Sequence, residues 1–260
     1  MKKHYATHVE DTDKLISVAG PILEYETWYE QYKKLMEEQA QRKYGLYTPT
    51  SEGGDDFDPS SFDQAWTVAG KTNEDSDRAT IANIAGNNNN NLTLTNFGFV
   101  EGSGYNQEGE YAGYLVTDGV DDKIVSSSFG MGKDFTIVGD WKFIGNKKSG
   151  TGLVKGSSFY IYNTMTGLDL YINSGSVKNS LDGIKSINAA CSDGRAYDRN
   201  WNEILANTGN VVGSGGTLEV SSSGGRFDRI AFKNLAIYPR ILSKDDCIKA
   251  YNYLQTLKAK

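Results

Sequence analysis

Two clusters of side chains in this sequence have types and spacing suited to chemistry. The first is Ser192-Asp193-Gly194-Arg195-Ala196-Tyr197-Asp198-Arg199-Asn200-Trp201-Asn202. Saccharide recognition needs an aromatic face to stack on the apolar side of a pyranose, and planar polar groups to bond its hydroxyls. Tyr197 and Trp201 could supply the face, and Asp193, Arg195 and Asn200 the hydroxyl partners. The competing role is structural, an ordinary strand pair with Trp201 in a core. The second cluster is Asp118, Asp121 and Asp122, whose carboxylate oxygens at a turn could coordinate calcium. Its structural alternative is a hydrogen-bonded hairpin turn with Asp caps and Gly119 at positive φ. Apart from calcium, no cofactor is expected.

Hydrolytic chemistry finds little to work with. Cleaving a glycosidic bond takes two carboxyl groups facing one cleft, and a strand can present them as Glu-x-Asp-x-x-Glu, a spacing that occurs nowhere in the chain. The only histidines are His4 and His8, so a Ser-His-Asp arrangement is out of reach for the rest of the chain. Gly70-Lys71-Thr72 ends like a phosphate-binding loop, but Ala65 stands where its first glycine is required. No catalytic residues are assigned, and the chain reads as a binder or an assembly component.

Composition narrows the partners. Net charge is −6 over 260 residues, and the Lys and Arg residues form no stripe that could neutralise a row of phosphates. Nucleic acid is therefore not expected as a partner. No apolar run reaches the roughly 20 residues that cross a bilayer, and Met1-Lys2-Lys3-His4-Tyr5-Ala6-Thr7-His8 has positive charge with no hydrophobic core behind it. These features imply no membrane partner and no export signal. Cys191 and Cys247 are too few for a disulfide framework or a zinc site, and are expected as free, buried thiols.

These residues must be positioned by the surrounding elements, and 29 Gly, 4 Pro, 16 Tyr and 10 Phe favour many short strands joined by tight turns. Three regions are distinguishable. Residues 1–47 hold an amphipathic helix between Ile22 and Tyr44, with Tyr25, Trp28, Tyr29, Tyr32, Leu35 and Met36 at intervals of three and four, Pro21 near its first turn and Gly45 at its end. That stripe packs either on the chain's own β-domain or in an assembly interface. Residues 48–80, rich in Ser, Gly, Asp and Thr, are expected as an extended linker or arm with Phe57, Phe62 and Trp66 as anchors.

Residues 81–260 are expected as an all-β domain. Its strands are Leu92 to Phe99, Tyr114 to Thr117, Lys123 to Ser126, Phe135 to Phe143, Thr151 to Val154, Ser158 to Tyr162, Leu168 to Ile172, Thr217 to Val220 and Arg226 to Tyr238. Ile230, Phe232, Leu235 and Ile237 keep one face only if the strand slips by a residue near Asn234, which predicts a bulge. Trp141, mid-strand, belongs to the core. Ser243 caps a closing helix, Asp246 stands three residues on, and Ile248, Tyr251, Tyr253, Leu254 and Leu257 supply its buried side.

Four segments, in order, resemble the laminin G-like, concanavalin A-like lectin and glucanase superfamily. Ile84-Ala85-Gly86 and the five asparagines before Leu92-Thr93-Leu94 are similar to its opening turn and strand, and Asp118-Gly119-Val120-Asp121-Asp122-Lys123-Ile124 to its "DGxxDYV" hairpin. Phe135 to Phe143 resembles its "FTISAWVK" strand, and Phe227 to Ser243 its "DEVRIYNRALS" strand and helix. The resemblance covers about residues 81 to 258, with Asn173 to Gly216 departing from the pattern. It implies a two-sheet antiparallel sandwich of jelly-roll type with an N-terminal helical arm and a C-terminal capping helix. Asn96 to Tyr105 is similar to proteins encoded by gut Bacteroidales and their tailed phages.

From that resemblance follows one expected role, a non-catalytic virion structural or attachment protein, capsid-decorating or fibre-type. Its N-terminal arm would dock on other virion proteins, its sandwich would project as a homo-oligomer, and host-surface glycans would be further partners. The alternative is a bacterial carbohydrate-binding protein, cell-surface or extracellular. A glycoside hydrolase ranks last.

Overall fold

The structure, a computed structural model, describes residues 57–85, 90–127, 129–144, 151–155, 159–163, 167–172, 177–182, 186–205, 214–216, 219–220, 222–223 and 226–260. The amphipathic stripe Tyr25, Trp28, Tyr29, Tyr32, Leu35 and Met36 lies outside them. What they form is mostly antiparallel β-structure closed by one C-terminal helix.

The principal layer is a sheet of eight strands, numbered here along the chain: β1 Gln64–Thr67, β2 Gly104–Asn106, β3 Tyr114–Val116, β4 Thr136–Phe143, β5 Ala189–Cys191, β6 Ala196–Tyr197, β7 Glu203–Leu205 and β8 Ile230–Tyr238. Its order is β7-β6-β5-β4-β8-β3-β2, and β1 shares with β3 the far edge of β8. β4 and β8 are the centre, and both are apolar on two faces because each face is covered. Phe135, Ile137, Trp141 and Phe143 point to one side with Ile230, Phe232, Leu235 and Ile237, while Val138 points to the other with Ala236 and Tyr238. That alternation is the period-2 geometry of a strand.

A second layer covers the first side. Leu92–Thr95 pairs with Thr80–Ile81 and with Lys123–Ser126, which also pairs with Glu219–Val220. Leu92 and Leu94 are buried while Thr93 and Thr95 are exposed, as expected where one face of a sheet meets water. The sandwich core therefore joins Ile81, Leu92, Leu94 and Ile124 of this layer to Trp66, Trp141 and Phe232 of the large sheet. Thr151–Lys155, Phe159–Asn163, Gly167–Ile172 and Val177–Asp182 form a four-stranded meander that contributes Ile161 to that core.

The other side of the large sheet is covered by α1, Lys244–Thr256. Ser243 Oγ accepts the Asp246 amide at 3.1 Å and donates to Asp246 Oδ2 at 2.9 Å, the cap that its sequence indicates. The buried stripe of α1 is Cys247, Ala250 and Leu254, with Ile248, Tyr251, Tyr253 and Leu257 only partly covered. Small residues face it from the sheet, Ala65, Ala189, Cys191 and Ala236. The small side chains on both sides let helix and sheet approach closely, so of the residues read as the buried side Leu254 lies on the stripe and Ile248, Tyr251, Tyr253 and Leu257 form its shoulders.

Two sequence expectations need correction, and a third holds. The stretch 48–80 is not an arm from Phe57 onward: Gln64–Thr67 is a strand of the large sheet, and Trp66 is fully buried with Nε1 donating to the Asn90 carbonyl at 2.7 Å. The domain boundary drawn at residue 81 thus falls inside the sandwich. The strand beginning at Leu92 stops at Thr95 because Asn96 turns into the left-handed region at φ 68°. The slip expected near Asn234 is present, a bulge between Phe232 and Asn234 that lets Ile230 and Phe232 share a face with Leu235 and Ile237.

Candidate functional site

The bulge does more than preserve the core face. It gives β8 one extra residue, Lys233, between Phe232, which pairs with Trp141, and Asn234, which pairs with Asp140. Asn234 is fully buried: its Oδ1 accepts the Asp140 amide at 3.0 Å and its Nδ2 donates to the Leu254 carbonyl at 3.4 Å, stitching β4, β8 and the end of α1 together.

Beside that stitch, on the helix side of the sheet, a polar cluster gathers from four elements. The Asp140 carboxylate accepts Arg199 Nη1 at 2.7 Å and the Tyr114 hydroxyl at 2.9 Å. Arg199 Nη1 also reaches Asn188 Oδ1 at 3.2 Å. Burial, then the neighbouring Asp140 carboxylate, pushes the Tyr114 phenol up to about 12. The same two causes hold the Tyr251 phenol of α1 above its ordinary value. Burial disfavours the Arg199 charge, yet the Asp140 carboxylate outweighs it and the guanidinium is held above its usual range. Both phenols are therefore neutral and Arg199 charged throughout the physiological range.

Around this pair stand half-buried aromatic rings. Trp201 meets Tyr251 edge to face at 5.5 Å, and Tyr111, in the 3-10 turn Gly109–Tyr111, lies 4.5 Å under Lys142 Nζ. Trp201 sits at φ 64°, a conformation bulky residues rarely adopt and one that costs on the order of 1–2 kcal/mol. The turn that holds it is pinned by Asp198, whose Oδ1 accepts the amides of Asn200 and Asn202, both at 2.8 Å. Burial alone would raise the Asp198 pKa; the Asn202 and Asn200 hydrogen bonds outweigh it and lower it.

The sequence-derived sugar residues divide in this geometry. Asp193 and Tyr197 are buried, Asp193 beneath Arg195, whose Nε donates to it at 2.7 Å, and Tyr197 within the cluster under α1. Neither presents a face to a ligand, because the first closes the β5–β6 hairpin and the second packs the helix. Asn200 is exposed at the Asp198 turn, and Trp201 is half-buried between Tyr197 and Tyr251, neither a core strand residue nor an isolated platform. Sequence reasoning did not single out Asp140, Tyr114, Tyr251 or Arg199 for this role. Arg199 stood in the right segment, but its partners come from strands about 60 and 85 residues upstream and from the closing helix, and no local spacing signals them.

Asp118, Asp121 and Asp122 do converge, with one ligand atom of each within 4.8 Å of the others. The turn itself accounts for much of that. Asp118 Oδ1 accepts the Val120 amide at 2.7 Å, Asp122 Oδ2 accepts the Asp118 amide at 2.7 Å, and Ser103 Oγ donates to Asp122 Oδ1 at 3.2 Å. Gly119 has φ 75°, as the turn requires. A cation here would take its protein ligands from these three side chains.

No protein-family model and no curated protein matches the sequence. Solved structures do. The Trypanosoma rangeli sialidase in complex with sialic acid superposes on 89% of this chain with a TM-score of 0.54 and 10% identity. The receptor binding domain of botulinum neurotoxin mosaic serotype C/D superposes on 75% with a TM-score of 0.50 and 12% identity. The likeness is one of fold. The chain matches only 39% of the sialidase and 51% of the receptor binding domain, so neither protein's activity follows from it.

Proposed function

We propose that this sandwich is a non-catalytic carbohydrate-binding module, lectin-like, whose recognition surface is the helix-side face of the large sheet around Asp140 and Arg199. The observation that carries the reading is the fixed Arg199–Asp140–Tyr114 network beside half-exposed Trp201, Tyr251 and Tyr111. A saccharide needs flat apolar surface and oriented hydrogen-bonding groups; here the strands fix Asp140 and Tyr114, while a pinned turn and α1 hold the rings of Trp201 and Tyr251, which keeps the ordering cost of binding low. A binding role is favoured over a catalytic one because Asp140 is already committed to Arg199 and the Tyr114 hydroxyl, and so is poorly placed as base or proton donor. The fold likeness supports the same reading, since one of the matched proteins is a sialidase holding sialic acid and another a receptor binding domain.

The test is a glycan array probed with the full chain, with Trp201→Ala and Arg199→Lys as controls. Saturable binding that falls at least about tenfold in both variants, while both keep their far-ultraviolet circular dichroism and a cooperative melt, is the expected outcome; one loses a stacking face and the other the planar guanidinium that an ammonium does not replace. Binding unaffected by either variant would move the site elsewhere on the molecule.

A second reading places the same sandwich on a virion, carried there by the N-terminal segment. It is favoured by the spacing of Tyr25, Trp28, Tyr29, Tyr32, Leu35 and Met36, an aromatic stripe that needs a cover. Co-purification of the chain with particles, abolished by Trp28→Asp with Tyr32→Asp, is its test.

A further inference from the structure

The chain is acidic, yet the face just described collects cations. Lys142 of β4 and Lys233 at the β8 bulge both lean over the Tyr114 ring, their Nζ atoms 5.5 and 5.9 Å from its centroid. Lys142 Nζ also lies 4.5 Å from the Tyr111 ring, and its contact with Glu110 is a loose 3.9 Å to a largely exposed carboxylate. Arg199, on the same face, is already neutralised by Asp140 at 2.7 Å. The two lysines therefore flank an aromatic ring with their charges held mainly by weak contacts that an incoming anion can replace.

We propose that the face selects anionic saccharides, those carrying a carboxylate or sulfate, with the sugar ring seated on Tyr114 and its acidic substituent received by Lys142 and Lys233. The proposal rests on the carbohydrate-binding reading and adds the class of sugar. Its physical basis is charge complementarity on a rigid surface: a neutral sugar gains only hydroxyl hydrogen bonds from two flanking ammonium groups, whereas an acidic one is also attracted by both charges and displaces only a loose ion pair and cation–π contacts. The bulge is the device that makes it work, since it sets Lys233 beside the buried Asn234 anchor while leaving its side chain half exposed.

Matched probes separate charge from shape. Oligogalacturonate and its methyl ester differ only in the acidic group, and a sulfated galactan oligosaccharide and its desulfated form do the same for sulfate. Titration of the full chain with each is expected to show the acidic member of at least one pair binding about tenfold more tightly or better at low salt, a preference that shrinks as ionic strength rises. The double variant Lys142→Gln with Lys233→Gln should erase that preference while keeping the wild-type melting temperature within about a degree. Equal or tighter binding of the neutral members would overturn the anion selectivity and leave the carbohydrate reading standing. No saccharide bound on the array or in titration, neutral or acidic, would sink the carbohydrate reading and the selectivity with it.

Discussion

Outside the proposed site, the carboxyl of Asp122 sits in an environment that changes its protonation. Burial holds its carboxyl up at about 6, with the Asp118 and Asp121 charges adding to the effect against hydrogen bonds that lower it. The folded state thus keeps a proton that the unfolded chain releases near its ordinary value of 3.8. Stability drawn from this group is full below that value and is lost as pH climbs from about 4 through about 6. Asp122→Asn keeps the turn, because the amide oxygen can accept the Asp118 N–H while its NH2 donates to Ser103 Oγ, and it removes the titration. Melting temperatures at pH 4 and pH 7 should therefore differ by a few degrees less in the variant than in the wild type; parallel slopes would refute the assignment. A rise with added calcium in the wild type alone would put an ion among the three aspartates. The sequence made this turn legible through Asp-Gly at its head, since short local hydrogen bonds leave a local signature. Trp201 was legible as an unusual residue in a loop, but not its contact with Tyr251, because that depends on a helix 50 residues downstream.

At the scale of the element, the bulge in β8 governs both packing and site. Opposite it, Gly139 has no room for a side chain: a Cβ there would stand 2.6 Å from the Asn234 carbonyl oxygen and 3.0 Å from Leu235 Cα. Both obstacles are backbone of a central strand, so neither can swing aside. Gly139→Ala is expected to cost about 1–3 kcal/mol by forcing β4 and β8 apart, and to weaken saccharide binding as well, because Asp140 is the next residue. A melting temperature unchanged by the substitution would show that the strands are not held as closely as described. The slip itself could be read from Ile230, Phe232, Leu235 and Ile237, since a core face tolerates no other register. The glycine opposite could not, because its partner strand is about 95 residues away. In the same way, Ser243 announced the helix start through local capping. Leu254 of the helix's buried stripe was legible, but Cys247 and Ala250 were missed because they carry little hydrophobic signal, and what buries them is the close approach of Ala65, Ala189 and Ala236.

On the scale of the whole molecule, the question is where the sandwich begins. β1 was invisible in the sequence: four residues, one large apolar side chain, and flanks rich in Ser, Asp and Gly resemble a linker. Its partner, β8, lies some 170 residues later, and only tertiary pairing makes it a strand. Yet it is deeply integrated. It fills the edge of β8 beyond β3, its flanks donate from the Asp63 amide to Ile237 O and from the Val68 amide to Lys233 O, and the Ala259 amide returns to Ala69 O at 3.0 Å. Tyr238, fully buried, donates from its hydroxyl to the Pro59 carbonyl at 2.7 Å. Losing Trp66 alone should cost about 3–5 kcal/mol, a large share of the roughly 5–15 kcal/mol that stabilises a domain. Exposing the unpaired edge of a central strand adds to that loss and invites aggregation. A chain starting at Phe57 is therefore expected to unfold cooperatively with a sharp near-ultraviolet signal from buried tryptophan. One starting at Ile81 is expected to be insoluble or to lack that signal. If the shorter chain melts at the same temperature as the longer, β1 is an accessory to the sandwich, and residues 57–80 return to the role of an arm.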